Sequence, residues 1–272
     1  MECGVDELLP SVPSSGGRVV RVAAIGDLHV RGDVTPMAPG IEVISTVADV
    51  LIVAGDMTEN GRLLEADAAA SLLAVAGVPV VAVLGNHDLR NLRRVEFRRA
   101  FERHGIEILD GRATVIRLDS GIRVGIAGAT GAGGGFWPVA GPDAIHSRTL
   151  KRLAVRARRE CDGLERALLE LDADVRIAAT HFAPTVTTLG NEPVAKYWML
   201  GNCELGAVLD RCGADLAIHG HAHRGTLLGE TPGGLPVRNV ALPVVERIHV
   251  ECLDPTRPRH EMQALVMAGA SR

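Results

Sequence analysis

Five short blocks carry side chains able to bind metal: Asp27-Leu28-His29, Gly55-Asp56, Gly85-Asn86-His87-Asp88, His181 and Gly220-His221-Ala222-His223. Together they offer carboxylates, imidazoles and one amide oxygen. That mixture of borderline and hard ligands suits Mn²⁺, Fe or Zn²⁺ and differs from the all-oxygen cages of Ca²⁺ and Mg²⁺. In extended chain, residues two apart point to the same side. Asp27 with His29, and His221 with His223, can therefore each aim two ligands at one site. Seven candidate ligands (Asp27, His29, Asp56, Asn86, His181, His221 and His223) are too many for one ion and suit two that keep open positions. Two metals about 3.5–4 Å apart need a bridging anion, and a carboxylate such as Asp56 serves.

The blocks lie just after short apolar runs rich in β-branched residues, at 19–25, 50–54, 80–84, 175–179 and 216–218, with a further run at 122–127. Runs this short, without polar alternation, predict strands buried on both faces. Helix-like stretches at 41–48, 63–76, 92–104, 150–171 and 205–212 lie between them, and strands alternating with helices predict an α/β fold. Ligand sites of such sheets lie beyond the carboxyl ends of the strands. Five loops would thus converge on one rim from nearly 200 residues of sequence. After His223, runs at 226–228, 237–240 and 247–251 read as short strands, most simply a meander that closes the sheet.

The organisation expected is a loose leader at 1–17, one domain at 18–253 and a peripheral Pro- and Arg-rich tail at 254–272, with no linker dividing the chain. Of the 272 residues, 47% are hydrophobic and 23% charged, ordinary for a globular protein. A formal charge of −4 gives no case for a nucleic-acid or membrane partner. No apolar run approaches the roughly 20 residues that span a bilayer, and the N-terminus shows no signal peptide. A cytoplasmic location follows as the default. Five scattered cysteines without a C-x-x-C pair fit a reducing compartment and make no disulfide framework. The sequence is compatible with a homodimer and carries no mark of one.

The ordered pattern D-x-H … G-D … G-N-H-D … H … G-H-x-H resembles the signature of the calcineurin-like metallophosphoesterases, over Asp27 to His223 and without departure at a ligand position. Within that family it is most similar to the bacterial phosphodiesterases typified by cyclic-nucleotide (class III) and glycerophosphodiester hydrolases. The resemblance implies a four-layer α/β/β/α sandwich. It implies one metal on Asp27, His29 and His223, a second on Asn86, His181 and His221, and Asp56 as the bridge. Hydroxide generated between the ions would attack phosphorus in line. His87, which is not a ligand in this family, would protonate the leaving alkoxide, with Asp88 as a candidate to orient it. Asn86 and His87 would also contact the substrate. The substrate class implied is a small phosphodiester, cyclic nucleotides among the candidates. A phosphomonoesterase or a nuclease of the same family are the enzymatic alternatives; a non-enzymatic scaffold fits poorly with a complete ligand set.

Other features weigh less. His219 precedes the two ligand histidines but lies outside the motif, so a supporting or structural place is expected. His104, His146, His249 and His260 have no motif context. The run Gly131–Gly135 lacks the Gly-Lys-Ser/Thr ending of a Walker loop and reads as a flexible loop near the rim. Phe136, Trp137, Phe182, Tyr197 and Trp198 fall in expected loops; Trp198 is the candidate to stack on a substrate ring, against the plainer reading that these aromatics pack the loops shut. Two arginine-rich helices, Arg90 to Arg103 and Lys151 to Arg166, read as solvated faces rather than a nucleic-acid strip.

Overall fold

The computed structural model describes residues 19–32, 38, 40–91, 93–136, 139–140 and 148–256. Its strands are β1 (Val20–Ile25), β2 (Val50–Ala54), β3 (Val80–Val83), β4 (Ile106–Leu109), β5 (Arg112–Arg117), β6 (Arg123–Ala129), β7 (Gly135–Phe136), β8 (Val139–Ala140), β9 (Val175–Thr180), β10 (Leu216–His219), β11 (Leu228–Glu230), β12 (Pro236–Asn239) and β13 (His249–Leu253). The helices are α1 (Ile44–Val47), α2 (Leu63–Leu73), α3 (Arg94–Glu102), α4 (Arg148–Leu169), α5 (Tyr197–Leu200), α6 (Cys203–Cys212) and α7 (Leu242–Val245).

Two large sheets form beside the short β7-β8 pair. One has the order β13-β1-β2-β3-β4, the other β11-β12-β10-β9-β6-β5. β1 to β4 run parallel, as do β12, β10, β9 and β6, while β13, β11 and β5 are antiparallel edge strands. The unalternating apolar runs now have their reason, because successive side chains of a strand point to opposite faces and here both faces are covered. Val22, Ala24, Val50 and Ile52 of the first sheet meet Ile126, Ile177 and Ile218 of the second in a core between the sheets. Their alternates Ala23, Ile25, Leu51 and Val53 pack with Ala66, Leu73, Phe97 and Phe101 of α2 and α3. On the outside of the second sheet, Ala127 and Ala178 pack with Leu164 and Leu168 of α4 and Val208 and Leu209 of α6. The result is helix, sheet, sheet, helix, in one domain.

Several expected elements shift. The expected meander is absent: β11 and β12 form a hairpin at the edge of the second sheet, whereas β13 crosses to pair with β1 in the first. The two sheets with helices outside them are the four-layer α/β/β/α sandwich that the family resemblance implies; only the closing meander is replaced. β4 and β5 carry charged residues (Glu107, Arg112, Arg117) that hid them among loop-like sequence. The first turns of the 41–48 and the last of the 63–76 stretches are 3-10 helix, Ile41–Val43 and Ala74–Ala76. The expected leader, most of the tail, Leu92, Trp137, His146 and His260 lie outside the described residues. The described cysteines are free, and no helix among the described residues is long and apolar enough to cross a membrane.

A bidentate ion pair ties the two sheets. Arg238 of β12 donates from Nε and Nη2 to Glu251 of β13 at 2.8 and 2.9 Å, and His249 Nε2 lies 3.0 Å from the same carboxylate. Burial alone would raise the Glu251 pKa, but these hydrogen bonds hold it down at about 2. The unfolded chain then takes up this proton more readily than the folded one. The stabilisation is complete above the ordinary carboxylate range and is lost as pH falls toward 2. Urea unfolding of Glu251→Gln is expected to show a loss of about 1–3 kcal/mol at pH 7, shrinking below about pH 4. A loss that does not change with pH would contradict this origin.

Candidate functional site

Asp27, Asp56, Asn86, His181 and His221 each follow a strand of the two parallel arrays by one to three residues, so both sheets deliver side chains to one rim. The backbone there is strained. Asp27, His29, Asp56 and His221 all adopt positive φ, at 58°, 45°, 48° and 69°, and Glu246 is the one other described non-glycine residue to do so. An L-residue in this region costs on the order of 1–3 kcal/mol and persists only where neighbours fix it. Here Asp27 N–H donates to the Gly55 carbonyl at 2.9 Å, His29 N–H to the Asp56 carbonyl at 3.0 Å, and His221 N–H to Asp27 Oδ2 at 2.9 Å. Gly85 is the residue that permits the approach of β3's end, because a Cβ there would overlap Asp56 Oδ1.

The side chains fall into two trios. In the first, the ligand atoms of Asp27, His29 and His223 lie within 4.8 Å of one another; in the second, those of Asp56, His181 and His221 do. Asn86 joins the second, its Oδ1 being 3.0 Å from His181 Nε2. Asp56 Oδ2 lies between the two, 3.3 Å from His181 Nε2 and 3.8 Å from His29 Nε2. All seven residues named from sequence are thus brought together.

Their electrostatics call for positive charge. His181 donates from Nδ1 to the Ala54 carbonyl at 2.9 Å, which turns Nε2 toward two oxygens, those of Asp56 and Asn86. A nitrogen lone pair facing two oxygens repels them unless a proton or a cation lies between. Without metal a proton does so: burial would depress His181, yet the Asp56 carboxylate lifts it to about 9. Asp56, which burial would raise, is in turn held below the carboxylate range by His181. Asp27 behaves likewise: burial opposes its charge, but the hydrogen bond with His223 at 2.8 Å keeps it ionised. That same bond raises His223. His221, buried beside His181, falls to about 3 and stays neutral. Both ring nitrogens of His29 are buried without a hydrogen-bond partner. Buried carboxylates, converging imidazoles and orphaned nitrogens within a few ångströms fit two cations, and the Nδ1 bond of His181 is the outer support that metal-binding histidines use.

A third trio was not read from the sequence. Ligand atoms of His29, Glu59 and His87 also cluster within 4.8 Å. His87 donates from Nδ1 to the Glu59 carbonyl at 2.8 Å, and the Glu59 carboxylate is 3.4 Å from His29 Nδ1 and 3.6 Å from His87 Nδ1. The Glu59 carbonyl therefore sets the orientation of the His87 ring, the role expected of Asp88. Asp88 instead accepts from the backbone of Gly85, Met57 and Thr58 and from the Thr58 hydroxyl, bracing the loops beneath the site. Burial and the nearby Asp56 charge push Asp88 up to about 6. Glu59 lies three residues beyond Asp56 on the same loop, a proximity that was the available signal. Arg90 closes the group, with Nη2 donating to His87 Nε2 at 2.9 Å.

The sequence model of the calcineurin-like phosphoesterases matches residues 20–225. The chain belongs to this family. As a calcineurin-like phosphoesterase it is a hydrolase, of a family whose members bind two metal ions. No curated protein matches its sequence significantly. One crystal structure superposes with a TM-score of 0.54 at 15% identity, covering 86% of this chain and 99% of its own. The protein TT1561 of Thermus thermophilus superposes with a TM-score of 0.51 at 16% identity, covering 88% and 100%. The sulfate thiohydrolase SoxB of Thermus thermophilus aligns at 13% identity and TM-score 0.48, covering 93% and 60%. At such identities the likeness is one of fold.

The remaining sequence readings separate clearly in this phosphoesterase. His219 lies outside both trios, buried, with Nδ1 on the Gly220 carbonyl and Nε2 on the Thr188 hydroxyl; burial lowers it to about 4. The Gly131–Gly135 run is tied down rather than free: Gly131 N–H donates to Glu160, and Gly134 and Gly135 donate to the Gly201 carbonyl. Gly133 abuts the Trp198 carbonyl, where a Cβ would not fit. Phe136 and Tyr197 pack on each other edge to face, the plain packing role. Phe182 and Trp198 differ, since both line a cavity beside the metal-binding residues.

Proposed function

We propose that this phosphoesterase hydrolyses small phosphodiesters, with one metal ion held by Asp27, His29 and His223 and another by Asn86, His181 and His221. Asp56 would bridge them. The observation that carries the reading is the position of Asp56 Oδ2 between the two trios, within 4 Å of a nitrogen of each. Mn²⁺, Fe or Zn²⁺ suits the donor set. Two such cations supply Lewis acidity that generates a nucleophile at neutral pH and offsets charge on the phosphoryl oxygens. The chain's own contributions are positional. Asn86 fixes His181, the Glu59 carbonyl fixes His87 with Nε2 toward the rim, and the positive-φ turns hold four ligands without slack. A diester is favoured over a monoester because the site has two sides for substituents. The first trio adjoins His87 and the more exposed Arg90, and the second adjoins Phe182 and its cavity. Cyclic nucleotides belong to that class.

The test is a panel of Mn²⁺-supplemented assays with bis-p-nitrophenyl phosphate, p-nitrophenyl phosphate, cyclic AMP, glycerophosphodiesters and single-stranded DNA. Diesters are expected to be cleaved with kcat/KM about tenfold or more above the monoester, roughly 1.4 kcal/mol of discrimination. A preference for the monoester would replace this reading with a phosphomonoesterase. Atomic spectroscopy should find about two ions per chain; fewer than one after supplementation would favour a non-enzymatic scaffold.

A further inference from the structure

A groove of about 720 Å³ opens beside the second trio. Phe182, the residue after His181, stands at its near end, its ring 4.5 Å from that of His221. Met199 lies there too, and its carbonyl accepts from His221 Nε2 at 3.2 Å. Trp198, Leu153 and Ala157 add apolar and aromatic lining, and Arg158 and Arg211 line it with Asp162 and Glu204. Arg156 of α4 lines the groove as well; its side chain is 39% exposed, while its Nε and Nη2 lack a hydrogen-bond partner. Its acidic neighbour Glu160 approaches only to 3.8 Å, and its Oε2 is engaged by Gly131 N–H. A guanidinium nitrogen is unfavourable without an acceptor, and an anion bound beside Arg156 would supply one.

The surroundings reinforce that demand. Arg156 also lines a second cavity, of about 650 Å³, between α4 and the turn joining β4 to β5. That cavity gathers six basic side chains, Arg94, Lys151, Arg152, Arg156, Arg159 and Arg166, against two acidic ones, Asp110 and Glu160. A chain of net charge −4 thus concentrates positive charge in a cavity that shares Arg156 with the groove lined by Phe182. Lys151, Arg152, Arg159 and Arg166 are exposed, as expected of a solvated helix face, and they also border this cleft.

We propose that the substrate carries a second anionic group: the scissile phosphoester lies at the metal rim, a ring-bearing apolar body lies along Phe182 and Trp198, and a phosphate at the far end pairs with Arg156. This rests on the phosphodiesterase reading above and adds to it a chemical class, a phosphodiester whose non-reacting part bears its own phosphate. Cavities of this volume are typical for ligands of nucleotide size. Arg156 is then a specificity determinant, and Trp198 forms the wall against which the ring stacks.

The test compares two esters with the same scissile bond and leaving group: thymidine 5′-(p-nitrophenyl phosphate), and the same ester bearing a 3′-phosphate. The second is expected to have kcat/KM about tenfold higher, the order one charge-assisted hydrogen bond supplies. In Arg156→Gln that ratio should fall to about one, with circular dichroism confirming the fold. Equal kcat/KM values for the two esters with the unaltered enzyme would overturn the proposal without any variant. Calorimetry on the metal-free protein gives an independent readout: thymidine 3′,5′-bisphosphate should bind about tenfold more tightly than thymidine 5′-monophosphate, and Arg156→Gln should remove the difference. If neither ester is cleaved, the phosphodiesterase reading falls, and calorimetry alone decides the anion site, equal affinities overturning it.

Discussion

Asp56→Ala is expected to lower phosphodiester hydrolysis by on the order of a thousandfold or more, about 4 kcal/mol of barrier, while the protein stays folded. Three consequences of removing one carboxylate compound. Oδ2 is lost from between the two trios, so neither set retains the shared anion that holds two like charges close. Oδ1 is lost as acceptor for the His87 N–H, now 2.8 Å away, so the loop of Asn86 and His87 loosens. His181 loses the charge that supports positive charge on its ring. Asp56→Asn separates these effects, because an amide of the same shape can keep the His87 contact but not the charge. Metal content should fall in both variants and activity should be lost in both. Retention of more than about a tenth of wild-type kcat/KM by Asp56→Ala, about 1.4 kcal/mol, would remove Asp56 from the centre of the site.

Much of this site was legible in the sequence because its ligands are coupled to strand ends. A buried strand of a parallel array is a short apolar run, and the residue that leaves it must enter the loop at the sheet's carboxyl edge. Asp27, Asp56, Asn86, His181 and His221 could therefore be placed on one rim before any contact was known. What escaped was whatever depended on contacts across the fold. Glu59 follows no strand directly, and its importance lies in where its carbonyl and carboxylate point, toward His87 and His29. Asp88 looked like a partner for its neighbour His87, yet the turn directs it inward to three backbone amides. The strands β4 and β5 were missed because charged residues interrupt or bound them, Glu107 in β4 and Arg112 and Arg117 at the ends of β5, at the margins of their sheets. Likewise β13 could not be assigned to the first sheet, since its partner β1 lies more than 220 residues earlier. The arginines of α4 showed charge without showing a cleft, as the opposite wall comes from the β4–β5 turn and α3.

His87→Ala gives the second large effect, and its size should depend on the leaving group. His87 Nδ1 is committed to the Glu59 carbonyl, so Nε2 is the nitrogen that faces the rim, 4.0 Å from Asp56 Oδ2. A proton carried there could reach a departing alkoxide, and such transfers contribute about 10²–10⁴-fold to rate. In the structure Nε2 accepts from Arg90 instead, so Arg90, nearly half exposed at its side chain, must withdraw before Nε2 can hold a proton. For glycerophosphodiesters or cyclic AMP, whose alkoxides leave poorly, the loss in His87→Ala should approach the upper part of that range. For bis-p-nitrophenyl phosphate, whose p-nitrophenolate leaves without a proton, it should be about tenfold, the remaining loss reflecting charge no longer offset at the phosphoryl group. Arg90→Ala frees Nε2 and should leave the alkoxide substrates comparatively unharmed. Equal losses in His87→Ala for both leaving groups would show that His87 stabilises charge and donates no proton, and would leave protonation of the alkoxide to another group at the rim.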